Sequence, residues 1–324
     1  MTARRILVTG ANGFVGSRVV ARILTDGLET PRAAIRREPH DALPGGETVR
    51  VGSLGPDTDW SEAVRGADVV VHCAARVHVM RELAEDPLAE FRKVNVEGTV
   101  TLARQAAAAG VERFVFLSSI KVNGEESQPG KPFEASDAPA PSDAYGKSKY
   151  EAEVSLQQIA SETGMAVTVI RPVLVYGPGV KGNFRTIMRL LALGLPLPLG
   201  AVDNRRSLVA LDNLCDLVMA CARSAAAGNK TFLVSDGEDL STTTLIRRLA
   251  AAMGIAPHLF PVSPRMLGTA ATVVAMGGIA KRLLGSLQVD IEPTARALDW
   301  RPPLSVEEGL KRAADDFLRR PGSR

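Results

Sequence analysis

The sequence predicts an α/β fold in which a doubly wound parallel sheet is followed by a smaller, mixed α/β C-terminal domain. Short runs of Val, Ile and Leu, typical of strands buried on both faces, alternate with longer helical segments up to about residue 175. After this point the alternation gives way to irregular segments interrupted by prolines. We therefore expect a first domain over residues 1–175, a second over 176–324, and residues 206–235 packed back onto the first.

Composition excludes several classes of function. The chain has 324 residues, 45% of them hydrophobic, and its net charge of +3 comes from 39 basic and 36 acidic residues spread along the sequence, which argues against a nucleic-acid partner. Three scattered cysteines predict no disulfide framework and no metal site, and they suit a cytoplasmic protein. The apolar run 269–280 is shorter than the about 20 residues of a membrane helix. We expect a packed helix there and no integral membrane segment; contact with a membrane surface is the alternative.

A glycine-rich turn follows the first strand directly. The apolar run at residues 6–8 is succeeded by Gly10, Gly13 and Gly16, and a helical pattern begins at once. In this context glycines let the backbone approach a pyrophosphate, and the helix N-terminus offers free N–H groups and a positive dipole. The turn predicts dinucleotide binding, with a plain turn as the alternative. It is not an ATP-binding loop, because no Gly-Lys-Ser/Thr follows.

Arg36 follows the second strand, which we expect to end near Ile35, at the place where an NAD-selective site usually has an acidic residue. An arginine there can hold a 2′-phosphate, so we expect NADP, with NAD as the alternative. Arg36 could also be a solvated residue at the strand end that has no role in binding. His72, at the end of the fourth strand, is expected to be a core histidine. The other expected cofactor contacts are Asn12, Phe14, Val15, Ser53, Leu54, Ala74, Ala75, Asn95, Ser118 and Pro172.

Tyr145 and Lys149 are spaced four residues apart on a predicted helix and therefore share one face. A phenol can exchange a proton at neutral pH if its anion is stabilised, and a nearby ammonium provides this stabilisation. Ser119 follows the fifth strand, at the sheet edge where ligands bind in such folds. A loop at 123–142 could cover the site, and Ser142 or Asp143 would cap the Tyr145 helix. An ordinary surface pair is the alternative for the Tyr–Lys spacing.

Together the glycine turn, Ser119, Tyr145, Lys149 and the late motif 298–302 resemble the extended short-chain dehydrogenase/reductase family, in particular its nucleotide-sugar epimerases, dehydratases and reductases. The resemblance implies a Rossmann-like first domain and a nucleotide-sugar substrate domain. It also implies that Tyr145 donates or accepts the proton, that Lys149 lowers the tyrosine pKa and holds the nicotinamide ribose, and that Ser119 hydrogen-bonds the reacting oxygen. In the substrate domain it implies that Asn183 and Arg206 contact a UDP-sugar.

Three departures from the family pattern narrow the expected function. Ile120 and Lys121 stand where family dehydratases have an Asp–Glu pair, which argues against dehydration because that reaction needs an additional acid and base. Ser53 replaces an Asp that commonly holds the adenine. Asn123 replaces a Tyr, and we expect it to alter the substrate side of the pocket. Lys121 is expected to face a sugar or phosphate group, with a solvated loop lysine as the alternative.

The resemblance implies an NAD(P)-dependent oxidoreductase acting at C4 of a UDP-linked N-acetylated hexose or deoxyhexose. A 4-keto reductase of surface-polysaccharide precursor synthesis is the leading hypothesis, and a UDP-sugar 4-epimerase with retained NAD is the alternative. A non-catalytic dinucleotide-binding sensor is a third, although it would not need the complete proton-transfer set. The resemblance also implies a homodimer formed through the helices that begin near Phe91 and Tyr145. The identity of the sugar stays open.

Overall fold

A seven-stranded parallel sheet forms the centre of the protein. The structure is a computed structural model that describes residues 3–37, 46–77, 85–273 and 283–320. The strand order is β3-β2-β1-β4-β5-β6-β9, and the strands are β1 (Arg4–Thr9), β2 (Glu29–Ile35), β3 (Glu47–Arg50), β4 (Val69–His72), β5 (Arg113–Leu117), β6 (Ala166–Pro172) and β9 (Lys230–Val234). Because the order reverses between β1 and β4, the carboxyl ends of these strands open a crevice where ligands bind in doubly wound sheets.

Helices cover both faces of this sheet. They are α1 (Gly16–Asp26), α2 (Ser61–Val64), α3 (Pro87–Arg92), α4 (Gly98–Ala108), α5 (Ala144–Thr163) and α7 (Leu211–Arg223), with a π-helical turn at Lys93–Glu97 between α3 and α4. One core lies under α1 and α7 and includes Ile23 and Leu214. The other lies under α4 and α5 and includes Leu102, Leu156 and Phe114. The predicted doubly wound α/β fold is therefore confirmed.

A second, mixed sheet of three strands lies in the C-terminal part of the chain. Its order is β10-β8-β7, with β7 (Leu174–Tyr176) and β8 (Arg206–Ala210) parallel and β10 (Asp239–Leu240) antiparallel to β8. Its helices are α6 (Gly182–Ala192), α8 (Thr242–Ala252), α9 (Pro264–Val273), α10 (Glu292–Leu298) and α11 (Val306–Arg319). A third core forms around Tyr176, Phe184, Ile246 and Leu310.

Turns and strand pairing set three of the boundaries. The short apolar run at 208–210 is compatible with a helix or a strand, and pairing with β7 makes it part of β8. The third strand ends at Arg50, and the chain turns at Gly52, where φ is +71°. The Tyr145 helix ends at Thr163 on Gly164, at φ +76°.

The apolar run 269–280 is covered only in part. Helix α9 includes its first residues, whereas 274–280 lie outside the described residues. Within the four described ranges, no helix combines the length and the apolar character needed to cross a bilayer. In the same ranges no group of His, Cys, Asp and Glu is arranged to hold a metal ion. All three cysteines are free thiols.

Candidate active site

The glycine turn forms a tight backbone cradle at the carboxyl end of β1. Gly10 has φ +63°, and a Cβ on it would lie 2.9 Å from the Ala74 nitrogen of the loop after β4. A Cβ on Gly16 would lie 2.2 Å from the Gly10 oxygen, and Gly13 donates its N–H to the same oxygen at 2.8 Å. Side chains here would therefore fill the space or strain the turn.

Helix α1 begins at this cradle, and no side chain hydrogen-bonds its first N–H groups at the N-cap Val15. Asn12 and Gly13 are exposed, and Phe14 and Val15 are half-buried. The Ser17 and Arg18 N–H groups already donate to the Gly13 and Val15 carbonyls at 3.1 and 3.0 Å, so it is the positive end of the helix dipole that suits an anionic group such as a pyrophosphate. The cradle and the helix end therefore fit a dinucleotide.

The expected adenosine contacts follow β2 and β3. Strand β2 ends at Ile35, as expected, and Arg36 is exposed directly after it. Ser53 is exposed, and its carbonyl accepts a hydrogen bond from the Thr58 hydroxyl at 2.8 Å. The Leu54 side chain packs against Gly98, where a Cβ would lie 2.8 Å from the leucine Cγ. Only Arg36 brings a cationic side chain among these three.

His72 is fully buried inside a chain of hydrogen bonds. Thr99 donates its hydroxyl to the Asn95 carbonyl at 2.7 Å, so it accepts from His72 Nε2 at 3.0 Å. Thr9 accepts from the Ala74 N–H at 3.2 Å and donates to His72 Nδ1 at 2.7 Å. Burial, assisted by the Lys149 charge, lowers the pKa of His72 to about 3. The imidazole is therefore neutral, as expected of a core histidine.

Asn95 lies in the π-helical turn and is buried. Its side chain donates to the Arg76 carbonyl at 3.0 Å and accepts from the Arg76 N–H at 2.8 Å. It also donates to the Ser148 hydroxyl at 3.0 Å, and this hydroxyl donates to the Tyr145 carbonyl at 2.8 Å. Asn95 therefore fastens the loop after β4, which holds Ala74 and Ala75, to the helix of Tyr145.

Ser119, Tyr145 and Lys149 meet at the carboxyl end of β5. Asp143 is the N-cap of α5 and accepts from the Gly146 N–H at 2.7 Å, which fixes the first turn of the helix beneath Tyr145. The Tyr145 and Ser119 side chains share a hydrogen bond. The Tyr145 ring also packs edge-on against Phe91, with centroids 6.0 Å apart. The structure therefore brings Ser119 and Tyr145 together, and Lys149 follows Tyr145 one turn later on α5.

The pKa of Tyr145 differs from the expectation. Burial and the negative charge of Asp143 raise it to about 12, and the hydrogen bond with Ser119 acts in the opposite direction. The expected lowering by Lys149 is absent in the chain alone. An added positive charge near the phenol would stabilise its anion, and an oxidised nicotinamide ring carries such a charge.

Lys149 is 1% exposed, and its ammonium lies 3.9 Å from the centre of the Phe116 ring. Burial lowers its pKa to about 7, while Glu153 and Cys73 favour the charged form. A buried ammonium at this edge of the sheet suits the vicinal hydroxyls of a ribose, which is a second respect in which the site fits a dinucleotide.

A buried ion-pair network connects α5, the helix of Tyr145, to the central sheet. Arg171 of β6 donates through its Nη2 to Glu153 of α5 at 2.6 Å, and both residues are at most 5% exposed. Ser118 also donates to Glu153. Arg171 Nη1 donates to Asn123 at 3.0 Å, and Asn123 donates to the Glu134 carbonyl at 2.8 Å. The network joins the end of β5, α5, β6 and the loop 123–142.

The expectation for Asn123 was wrong, whereas those for Ser118 and Pro172 are not decided by the network. Asn123, expected to reshape the substrate side of the pocket, is 2% exposed and holds the loop 123–142 to Arg171 instead. The Ser118 hydroxyl is used inside the network, and Pro172 is the buried last residue of β6. Their contact with a cofactor stays a prediction.

The segment 285–290 connects the loop 123–142 to strand β8. On one side, Ser127 and Phe133 donate backbone N–H groups to the carbonyls of residues 286 and 288 at 3.0 and 2.8 Å. On the other side, the Ser207 N–H donates to the carbonyl of residue 287 at 2.8 Å. Arg206 therefore has a fixed relation to the loop, and its guanidinium donates to the Gly285 carbonyl at 2.9 Å.

The two remaining substrate candidates are Asn183 and Lys121. Asn183 is exposed at the second position of α6. Lys121 forms an ion pair with Asp143.

From the sequence we assigned no role to Glu153 or to the Arg171 side chain. The sequence holds one signal for Glu153, because it lies four residues after Lys149 and therefore on the same helical face.

Comparisons with known proteins agree with this geometry. The model of the NAD dependent epimerase/dehydratase family matches residues 6–235. A UDP-glucose 4-epimerase of Vibrio cholerae is 43% identical over 316 residues, which cover 97% of this chain and 96% of the relative. A curated Escherichia coli O157:H7 protein, N-acetyl-alpha-D-glucosaminyl-diphospho-ditrans,octacis-undecaprenol 4-epimerase, is 27% identical over 258 residues, covering 76% of this chain and 72% of the relative.

Solved structures show the same fold. The Thermus thermophilus UDP-glucose 4-epimerase in complex with NAD superposes with a TM-score of 0.76 at 26% identity, covering 97% of this chain and 99% of the other. The Thermotoga maritima UDP-glucose 4-epimerase with UDP-glucose gives 0.77 at 23% identity with the same coverage. The chain therefore belongs to the NAD-dependent epimerase/dehydratase family, within the extended short-chain dehydrogenases/reductases, and is an NAD-dependent nucleotide-sugar enzyme.

Proposed function

We propose that the protein is a UDP-sugar 4-epimerase that inverts C4 of a UDP-linked hexose. The observation that carries the proposal is the hydrogen bond between Ser119 and Tyr145 at the carboxyl end of β5, with the buried Lys149 one turn further along the Tyr145 helix. The 43% identity to the Vibrio epimerase favours inversion over other reactions at the same carbon. The 4-keto reductase that the motifs first suggested is not confirmed, and the epimerase agrees at least as well with the relatives.

Proton transfer in this proposal is made by Tyr145. A dinucleotide held by the glycine cradle and Lys149 would supply reversible hydride transfer at C4 of the sugar. The Tyr145 oxygen removes the proton of the C4 hydroxyl and later gives it back to the same oxygen. The Ser119 hydroxyl, which is bonded to Tyr145, orients the C4 oxygen and stabilises developing charge on it. The Lys149 ammonium holds the ribose and keeps its positive charge near the phenol.

The UDP group is proposed to lie against the second sheet. Arg206 begins β8 and is partly exposed, and a guanidinium matches the paired oxygens of a diphosphate. Asn183 lies exposed at the start of α6, where its amide can bond either a phosphate or a sugar. Because segment 285–290 links β8 to the loop 123–142, substrate binding at Arg206 would also fasten the loop over Tyr145.

Incubation of the purified enzyme with individual UDP-hexoses and UDP-N-acetylhexosamines tests the proposal. We expect at least one of them to reach an equilibrium mixture of C4 epimers, measured by NMR of the sugar anomeric signals, without added reductant. Unchanged C4 configuration for every sugar, at enzyme concentrations that show bound NAD, would contradict it.

A specific observation favours the reductase as the second candidate. Arg36 is exposed directly after β2, where its guanidinium can pair with the 2′-phosphate of NADP. If it does so, Arg36→Ala should weaken NADPH binding about 10–100-fold and leave NADH binding nearly unchanged, because a charge-assisted bond contributes about 1.5–3 kcal/mol. Calorimetry on cofactor-stripped protein measures both affinities, with Arg185→Ala on α6 as the control. Tight NAD binding that is indifferent to Arg36 supports the epimerase.

The homodimer is also kept as a proposal. Exposed ion pairs join α3 and α4 to α5, with Arg92 to Glu151 at 2.6 Å and Arg104 to Glu162 at 3.1 Å, so these helices form one continuous outer face. Val154 on α5 is 46% exposed and would be covered in such a dimer. Sedimentation at micromolar concentration decides between a dimer and a monomer.

A further inference from the structure

Lys121 contacts both of the segments that hold the reacting hydroxyls. It lies in the 3₁₀ turn Ile120–Val122, directly after Ser119, and its backbone N–H donates to the Ser119 Oγ at 3.3 Å. Its ammonium forms an ion pair with Asp143, the N-cap of the Tyr145 helix. One residue therefore bridges the end of β5 and the start of α5.

The two segments are also in direct contact. A Cβ on Gly146 would lie 2.9 Å from the Lys121 carbonyl oxygen, so the turn is pressed against the first turn of α5. The side chains of Lys121 and Asp143 are 26% and 34% exposed, which leaves their charges only partly screened by solvent. A change in either charge will therefore affect Tyr145, which lies two residues after Asp143.

The charged groups around Tyr145 differ in their effect on its pKa. Asp143 raises the pKa of Tyr145, second only to burial, because a neighbouring carboxylate disfavours the phenolate. Lys149 lies one turn further along α5, and Arg76 lies 5.5 Å from the centre of the Phe91 ring against which Tyr145 packs. The helix needs Asp143 as a cap, whereas proton transfer needs its negative charge to be offset.

We propose, on the basis of the proposed C4 chemistry, that Lys121 is a positioning residue for proton transfer. Its ammonium offsets the charge of the Asp143 cap beside Tyr145, and its backbone N–H holds the Ser119 hydroxyl toward the same point. The role of Lys121 is therefore to weaken the opposition of Asp143 to the phenolate while the carboxylate still caps the helix.

Changing the charges of Lys121 and Asp143 separately and together tests this inference. In Lys121→Met we expect kcat for C4 inversion to fall about tenfold at pH 7, and the rising limb of the kcat–pH profile to move up by about one pH unit, since the uncompensated carboxylate disfavours the phenolate. Asp143→Asn should move the limb down, because Asn keeps an oxygen for the Gly146 N–H but carries no charge. The double variant should return close to the original profile.

Lys147→Met is the matched control, since Lys147 is an exposed lysine on the same helix. Coinciding profiles for Lys121→Met and Lys147→Met, or a loss in Lys121→Met that Asp143→Asn does not relieve, would overturn the inference. A merely structural role for Lys121 would change unfolding without moving the pH profile.

A titration without substrate separates this inference from the proposed function. The chain has three tyrosines, so the tyrosinate absorbance of Tyr145 can be isolated by subtracting a Tyr145→Phe blank. We expect Asp143→Asn to lower the Tyr145 midpoint by about one pH unit and Lys121→Met to raise it. If no UDP-sugar is converted, the proposed function fails while this titration still decides the inference. Identical midpoints in all variants refute it.

Discussion

Replacing Tyr145 by Phe is expected to lower kcat for UDP-sugar inversion by about 10²–10⁴-fold, the contribution of a well-placed general acid–base group. Phe keeps the ring that packs against Phe91 but loses the hydroxyl that bonds Ser119. The fold and the bound dinucleotide should be retained. Product formation by NMR and cofactor content by absorbance measure the two properties separately.

Tyr150→Phe provides a control in the same helix, and we expect it to change kcat by less than about twofold. Unchanged turnover in Tyr145→Phe would exclude Tyr145 as the proton-transfer group. A loss of dinucleotide together with turnover would instead assign Tyr145 a binding role.

Replacing Arg171 by Met is expected to lower the free energy of unfolding by about 3–5 kcal/mol, the cost of leaving a buried charge without its partner. Arg171 donates to both oxygens of Glu153, at 3.0 Å to Oε1 and at 2.6 Å to Oε2. Without it, a carboxylate that is 1% exposed keeps only the bond from Ser118 and the charge of Lys149. Guanidinium chloride unfolding measures the loss.

Two variants make this prediction specific. The double variant Arg171→Met, Glu153→Met should recover much of the stability, because replacing both partners of a buried pair by apolar side chains is often close to neutral. Arg92→Met, which breaks the exposed pair with Glu151, should cost about 0–1 kcal/mol. Equal losses for Arg171→Met and Arg92→Met would contradict a structural role for the buried network.

The sequence predicts the architecture of the first sheet well, because its strands are short apolar runs separated by helices and punctuated by glycines. The spacing of Gly10, Gly13 and Gly16 predicted a tight backbone turn, and the structure shows why a residue with a Cβ would not fit there. The helical spacing of Tyr145 and Lys149 likewise placed both on one face. These features depend on residues that are close together in the sequence, so they can be predicted from local sequence patterns.

The remaining features depend on contacts between distant segments. Residues 208–210 fit a helix or a strand equally well until β7 pairs with them. Asn123 was expected to face the substrate because its position is next to the site in sequence, yet Arg171, 48 residues away, holds it in the core. The raised pKa of Tyr145 follows from burial and from the Asp143 charge, neither of which spacing alone reveals.

Tracing deuterium at C4 tests the central claim most directly. The enzyme would be incubated with a UDP-sugar deuterated at C4, and the epimeric product examined by NMR. We predict that the product keeps its deuterium at C4, because the hydride that leaves this carbon returns to it within one turnover. Loss of the C4 deuterium to ordinary water would contradict hydride transfer at C4, as would deuterium appearing at C3 or C5 when an unlabelled UDP-sugar is incubated in D₂O.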